Sequence, residues 1–204
     1  ALLSAQIVVV ISGVVAQYVL SNNLEISSYG LLILIIDLGL TFSIIIDFGL
    51  PTWGLRNWDG EESSAIGQML SVMAIQIPIA LILLPVSAIV SLTILPQSEV
   101  WSFAVVMLSV SIIALTEPMR VGLRMVGKAS FEASSRAIER AIITGGYSVV
   151  ASIGVLDIRT ASMVLLISSI FILHCCVYFC LTYYVHLSLF VDVILKFLGL
   201  TSRL

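Results

Sequence analysis

Long apolar runs separated by short polar links set the pattern of this chain. Ala1 to Leu20 carries only Gln6 and Gln17 as strongly polar side chains, and about 20 apolar residues suffice to cross a bilayer as a helix. Gln6 and Gln17 share a helical face with Gly13. After the link Ser21 to Ser28, a second span runs from Tyr29 to Leu50, interrupted by Asp37 and Asp47, and Pro51 to Ser63 reads as a polar loop. The third run, Ala65 to Leu95, is longer than a bilayer needs, and Pro78 and Pro85 inside it are expected to kink the helix on nearly one face. Pro96 to Glu99 makes a tight turn. The fourth span runs from Val100 to about Pro118, with its helix continuing through Arg124. The fifth, Ala137 to Leu156, is rich in Gly145, Gly146, Ser148, Ala151, Ser152 and Gly154, small residues that let helices approach closely. Past the link Asp157 to Thr160, the sixth reaches from Ala161 to about His186.

The pattern predicts an all-α, polytopic membrane bundle of six transmembrane helices over residues 1–186. Residues 187–204 follow as an amphipathic cytoplasmic linker, with Phe190, Val193, Ile194, Phe197 and Leu198 at helical spacing. Composition agrees: 60% of residues are hydrophobic, 10% are charged and the mean hydropathy is +1.17, where soluble domains carry about 25% charged residues. The chain opens on Ala1 with neither a charged leader segment nor a small-residue cleavage site, so it is expected to be a fragment and not to begin with a secretory signal.

Charge matters here by position. Lys and Arg are retained on the cytoplasmic side during insertion. The links after spans one, three and five hold only Arg159; the links after spans two and four and the tail hold Arg56, Arg120, Arg124, Lys128, Arg136, Arg140, Lys196 and Arg203. This asymmetry places the amino terminus in the cytoplasm of a cell with this chain in its plasma membrane. Membrane lipids are the expected surroundings, and no nucleic-acid partner is expected.

The stretch Glu117 to Arg140 concentrates the cations. Glu117, Arg120 and Arg124 fall along one helical face, and Arg136, Arg140 and Tyr147 along one face of the next helix. Paired guanidinium groups suit a diphosphate, whose oxygens they bind through two parallel hydrogen bonds. The other reading makes these residues topology determinants with internal pairs, such as Glu139 with Arg136. Asp37, about 10 Å inside its helix at 1.5 Å per residue, is expected to face a bundle interior or a watery cavity. There it is either a proton or sodium coupling site or a hydrogen-bond partner of a neighbouring helix. Asp47, close to the cytoplasmic end, is expected to reach water or pair with Arg56.

Enzyme function is not expected. The sequence holds no Ser/His/Asp set, no phosphate-cradling glycine loop and no zinc spacing, and neither a cofactor nor a metal is expected. Asp47-Phe48-Gly49 matches a protein-kinase triplet, but nothing else of that signature accompanies it. Cys175, Cys176 and Cys180 read as small buried thiols, and His174 as a satisfied interhelical group.

The segment Asp47-Phe-Gly-Leu-Pro-Thr-Trp-Gly-Leu-Arg56 closing the second span resembles the pattern at that place in polysaccharide flippases of the Wzx type, of the multidrug/oligosaccharidyl-lipid/polysaccharide superfamily. An opening helix with Gln and Gly, a link ending in Tyr29-Gly30, the stretch Glu117 to Arg140 and the linker Leu195 to Leu200 agree in order, so the resemblance covers essentially the whole chain. It implies one six-helix lobe of a two-lobed transporter, the carboxyl-terminal lobe being absent here. Such a transporter moves a polyprenyl-diphosphate-linked oligosaccharide to the outer leaflet by alternating access, for cell-surface polysaccharide biosynthesis. On that reading Arg120, Arg124, Arg136 and Arg140 are headgroup candidates, Asp37 is the coupling-ion candidate, and Asp47, Arg56, Glu117 and Glu139 are structural or gating candidates. The first span carries no charge, unlike flippases with Arg there. A drug or metabolite exporter of the same superfamily is the alternative, and a membrane glycan polymerase or ligase a more remote one.

Overall fold

The computed structural model describes residues 2–60 and 62–184. Seven α-helices make up nearly all of it: α1 (Leu2–Asn23), α2 (Ile26–Asp47), α3 (Leu50–Arg56), α4 (Glu62–Ile94), α5 (Val100–Met125), α6 (Ala129–Ser152) and α7 (Ile158–Tyr184), with a single 3-10 turn at Gln97–Glu99. No strand occurs among the described residues. The linker expected over residues 187–204, and the end of the sixth span at His186, lie outside the described residues.

Among the described residues, five segments are long and apolar enough to cross a membrane: Leu3–Asn23, Ile26–Arg56, Gly67–Ile94, Gln97–Met125 and Ile158–Cys180. The helix expected as the fifth of six crossings, α6, is not among these. Glu132, Arg136, Glu139 and Arg140 occupy its first half and leave too short an uncharged run.

α5 is the core helix. It packs against α2, α4 and α7 and, less extensively, α3 and α6, whereas α1 rests mainly on α6. One apolar cluster gathers Leu20, Leu32, Ile35, Phe103, Val106, Ile143 and Tyr147 from α1, α2, α5 and α6. A second, at the opposite end of α5, joins Ala65, Met69, Val121 and Met125 with Leu55 and Trp58. Where water is excluded, backbone and hydroxyl groups must be satisfied within the protein. Accordingly Ser109, Ser111 and Ser162 donate to the carbonyls of Val105, Met107 and Ile158 one turn back. The hydroxyl of Thr144 crosses to α1 and donates to the Ser12 carbonyl at 2.9 Å.

The ends of the helices follow local chemistry. Asp157 caps α7 by accepting the Thr160 N–H at 2.7 Å through Oδ1, while its own N–H donates to the Thr160 hydroxyl at 2.9 Å; the reciprocal pair fixes the first turn. Helix α4 runs unbroken through Pro78 and Pro85. The polar loop expected from Pro51 to Ser63 instead begins with α3. Phe48 and Gly49, both left-handed at φ 42° and 71°, reverse the chain after α2. Pro51 then sits in the first turn of the new helix, where its missing N–H costs nothing.

The small residues of α6 divide by role. A Cβ at Gly146 would meet Val164 Cγ1 at 2.6 Å, whereas one at Gly145 would meet nothing within 4 Å. Gly154, at φ 76°, ends the helix. Gly146→Ala is therefore expected to force α6 from α7 and cost about 1–3 kcal/mol, because the β-branched Val164 cannot swing aside. Gly145→Ala is expected to be neutral or to stabilise by about 0.5–1 kcal/mol, since it removes backbone freedom from a helix interior. Thermal melting of the two variants in the same detergent checks the contrast.

Candidate functional site

The link between α5 and α6 is only a few residues long, so the two helices turn back on each other and bring their charged ends together. Across this junction three acids meet three cations. Arg120 Nη1 donates to Glu117 at 2.9 Å, and its Nη2 donates to Glu139 of α6. Arg136 donates to the second oxygen of Glu117 at 2.6 Å. Arg124 holds Glu132 through both its Nε, at 2.6 Å, and its Nη2; Arg136 also approaches Glu132 at 3.5 Å. The pair expected within α6, Glu139 with Arg136, is thus replaced by pairs across to α5. Crossing helices present Glu139 to Arg120 and Arg136 to Glu117, and the inter-helix geometry is the better one.

Charges in this cluster balance one for one. Arg120 is 1% exposed, with its Nε left without a hydrogen-bond partner. It lies beside Cys176 of α7. Arg124 and Arg136 keep 44% and 43% of their side chains exposed, so each presents one edge to water and one to carboxylate. Burial pushes the Glu132 carboxyl up, but the hydrogen bonds from Arg124 and the charges of Arg124 and Arg136 outweigh it and hold Glu132 below the usual carboxylate range. A carboxyl lowered on folding adds stability that is complete above its unfolded pKa and is lost as the pH falls through its lowered folded value. The α5–α6 junction is thus expected to loosen in acid. Glu132→Gln should flatten that limb of a melting-temperature-against-pH curve while leaving the neutral and alkaline region parallel to the wild type.

Beside the cluster, α2 and α5 border an open cavity of about 440 Å³ lined by Leu40, Ser43, Asp47, Phe48, Ile113 and Glu117, among others. Its walls are mainly apolar, with two carboxylates. Phe48 lies at its edge, 79% exposed. For a non-glycine residue the left-handed conformation costs about 1–2 kcal/mol, strain that concentrates where a structure needs a sharp reversal. Asp47 accepts a hydrogen bond from Gln76 Nε2 of α4 at 3.4 Å. The pair expected with Arg56 does not form, and Arg56 stands exposed at the end of α3.

Other expected site residues lie apart. Asp37 is exposed on α2 and does not line the cavity. Arg140 is exposed on α6 and makes no ion pair among the described residues. Tyr147, expected to continue its stripe, is buried in the apolar cluster instead. Gln17 accepts a 2.6 Å hydrogen bond from the Tyr29 hydroxyl, tying α1 to α2. His174, expected to bond a neighbouring helix, is exposed on α7, and no hydrogen bond involves it among the described residues. Gln76 is absent from the residues the sequence singles out; its signal is an amide deep in the long run Ala65 to Leu95, whose other amide, Gln68, lies near the start. Comparison with protein families, curated proteins and solved structures returns no match.

Proposed function

We propose that this chain is one lobe of a transporter that carries a polyprenyl-diphosphate-linked oligosaccharide across the plasma membrane by alternating access, with α6 as a sixth crossing and the amino terminus in the cytoplasm. The crossing of α6 is supported by its neighbours. Helices α5 and α7 are both long and apolar enough to span, α6 joins them through short links, and its 24 residues extend about 36 Å at 1.5 Å per residue. The observation that carries the transport reading is the cavity at the α2–α3 reversal. It is walled by Asp47, Phe48 and Gly49, from the segment that carries the flippase resemblance, and by Glu117 of the charged cluster. Around that end of the bundle stand Arg56, Arg124, Arg136 and Arg140, each with exposed surface. Arg124 and Arg136, reachable from water on one side and held by carboxylates on the other, together with the exposed Arg56 and Arg140, suit the capture and release of a diphosphate.

Arg140 is the simplest to test, because changing it leaves the ion pairs of the cluster intact. Arg140→Glu is expected to weaken binding of a fluorescent polyprenyl-diphosphate glycan about tenfold or more, the equivalent of one charge-assisted hydrogen bond. Unchanged affinity in reconstituted vesicles would remove Arg140 from the headgroup site.

A second reading, an exporter of organic cations, is favoured by the cavity lining itself. Apolar walls with Asp47 and Glu117 suit a lipophilic cation better than an anion, and the neighbouring Arg charges are already matched by Glu. Efflux of a lipophilic cation from vesicles, abolished in an Asp47→Asn/Glu117→Gln double variant, together with no movement of the glycan lipid, would decide for the exporter.

A further inference from the structure

We propose that Asp47 is a proton-binding site, carrying its proton in a closed acid–amide pair with Gln76. Gln76 is fully buried at 0% exposure, and its amide faces the Asp47 carboxyl, with Nε2 donating to Oδ1. Its carbonyl Oε1 has no hydrogen-bond partner. A buried acceptor left unpaired costs about 1–3 kcal/mol, and here it is held beside a carboxylate that, when ionised, can only accept. One proton resolves both problems. With Oδ2 protonated, the acid donates to Oε1 while the amide goes on donating to Oδ1, and the two planar groups close an eight-membered ring in which each is donor and acceptor.

Charge points the same way. Glu117 is the titratable group that faces Asp47 across the cavity from α5, and Arg120 and Arg136 already neutralise it. Glu139 and Glu132 are likewise matched by Arg120 and Arg124. From α4 the facing group is the uncharged Gln76, and Arg56 of α3 is exposed and makes no ion pair with Asp47. Among the described residues, an ionised Asp47 is therefore the one carboxylate of this site without a cation, set in a mainly apolar wall, where protonation removes a charge the protein does not balance. Asp37 has no such setting, being exposed on the surface of α2.

The test reads protonation and does not depend on what the chain transports, so its failure is separate from failure of the transport reading. Infrared spectra of the full chain in lipid nanodiscs at neutral pH, exchanged from H2O to D2O, are expected to show a protonated carboxyl band. The band should disappear in Asp47→Asn, shift in Gln76→Leu and persist in Asp37→Asn. If Asp47→Asn does not fold, Gln76→Leu decides, a shifted band supporting the pair and an unmoved one overturning it. The proposal is also overturned if the neutral protein shows no such band, if the band survives in Asp47→Asn, or if added sodium abolishes it and sodium resonance broadening is lost with Asp47→Asn. That last outcome would make the site one for sodium.

Discussion

Arg120→Ala is expected to destabilise the protein by about 3–5 kcal/mol, lowering its melting temperature by roughly 6–20 °C. The guanidinium is 1% exposed and bridges Glu117 of its own helix to Glu139 of α6. Removing it does not return those carboxylates to water. Glu139 is left buried with its partner gone, while Glu117 retains Arg136. The loss is therefore concentrated on Glu139, and a second substitution should recover much of it. Arg120→Met/Glu139→Met replaces a buried ion pair by apolar side chains of similar length, which is often neutral relative to the pair. The double variant is thus expected to melt well above Arg120→Ala, and the non-additivity measures the pair directly. If Arg120→Ala melts within a degree or two of wild type, the cluster is not a buried clamp.

That clamp also marks the limit of what the sequence reveals. The helices themselves are legible, because a membrane span must be a nearly uninterrupted apolar run and its ends must carry polar or chain-reversing residues. Of the clamp, the composition is legible. Glu117, Arg120 and Arg124 are legible as one helical face, but the stripe expected on the next helix, Arg136 with Arg140 and Tyr147, is not the one that pairs: Glu132, Arg136 and Glu139 are. The pairing itself is not legible, because partners 19 residues apart, as in Arg120 with Glu139, are chosen by where α5 and α6 cross. The same limit governs the two acids of α2. Asp37 is the more demanding by sequence because it lies deeper in its run, yet only packing shows that Asp47 receives an amide from α4 while Asp37 faces outward. Helix α3 is hidden by its polar surroundings; the sequence Gly49-Leu50-Pro51 is its one start signal.

Cysteine labelling is expected to place the α3–α4 link and the α5–α6 link on the cytoplasmic face and the α6–α7 link outside. With Cys175, Cys176 and Cys180 replaced, a membrane-impermeant maleimide applied to intact cells should modify Val155→Cys. Asn57→Cys and Lys128→Cys should be modified only after permeabilisation, and the reverse pattern would invert the bundle. On the proposed topology, orientation and clamping would use the same cations at different moments. Insertion counts Lys and Arg and gives little weight to Glu, so on the proposed topology Arg120, Arg124 and Arg136 would serve as orientation signals although each is paired with a carboxylate in the folded chain. Glu117→Gln and Glu132→Gln should accordingly loosen the α5–α6 junction and leave every label on its side. Neutralising Lys128, Arg136 and Arg140 together to Gln should instead yield a mixture of orientations, with part of the Val155→Cys population now protected in intact cells. A labelling pattern unmoved by the three neutralisations would mean that the apolar lengths of the spans, and not this basic stretch, set the orientation.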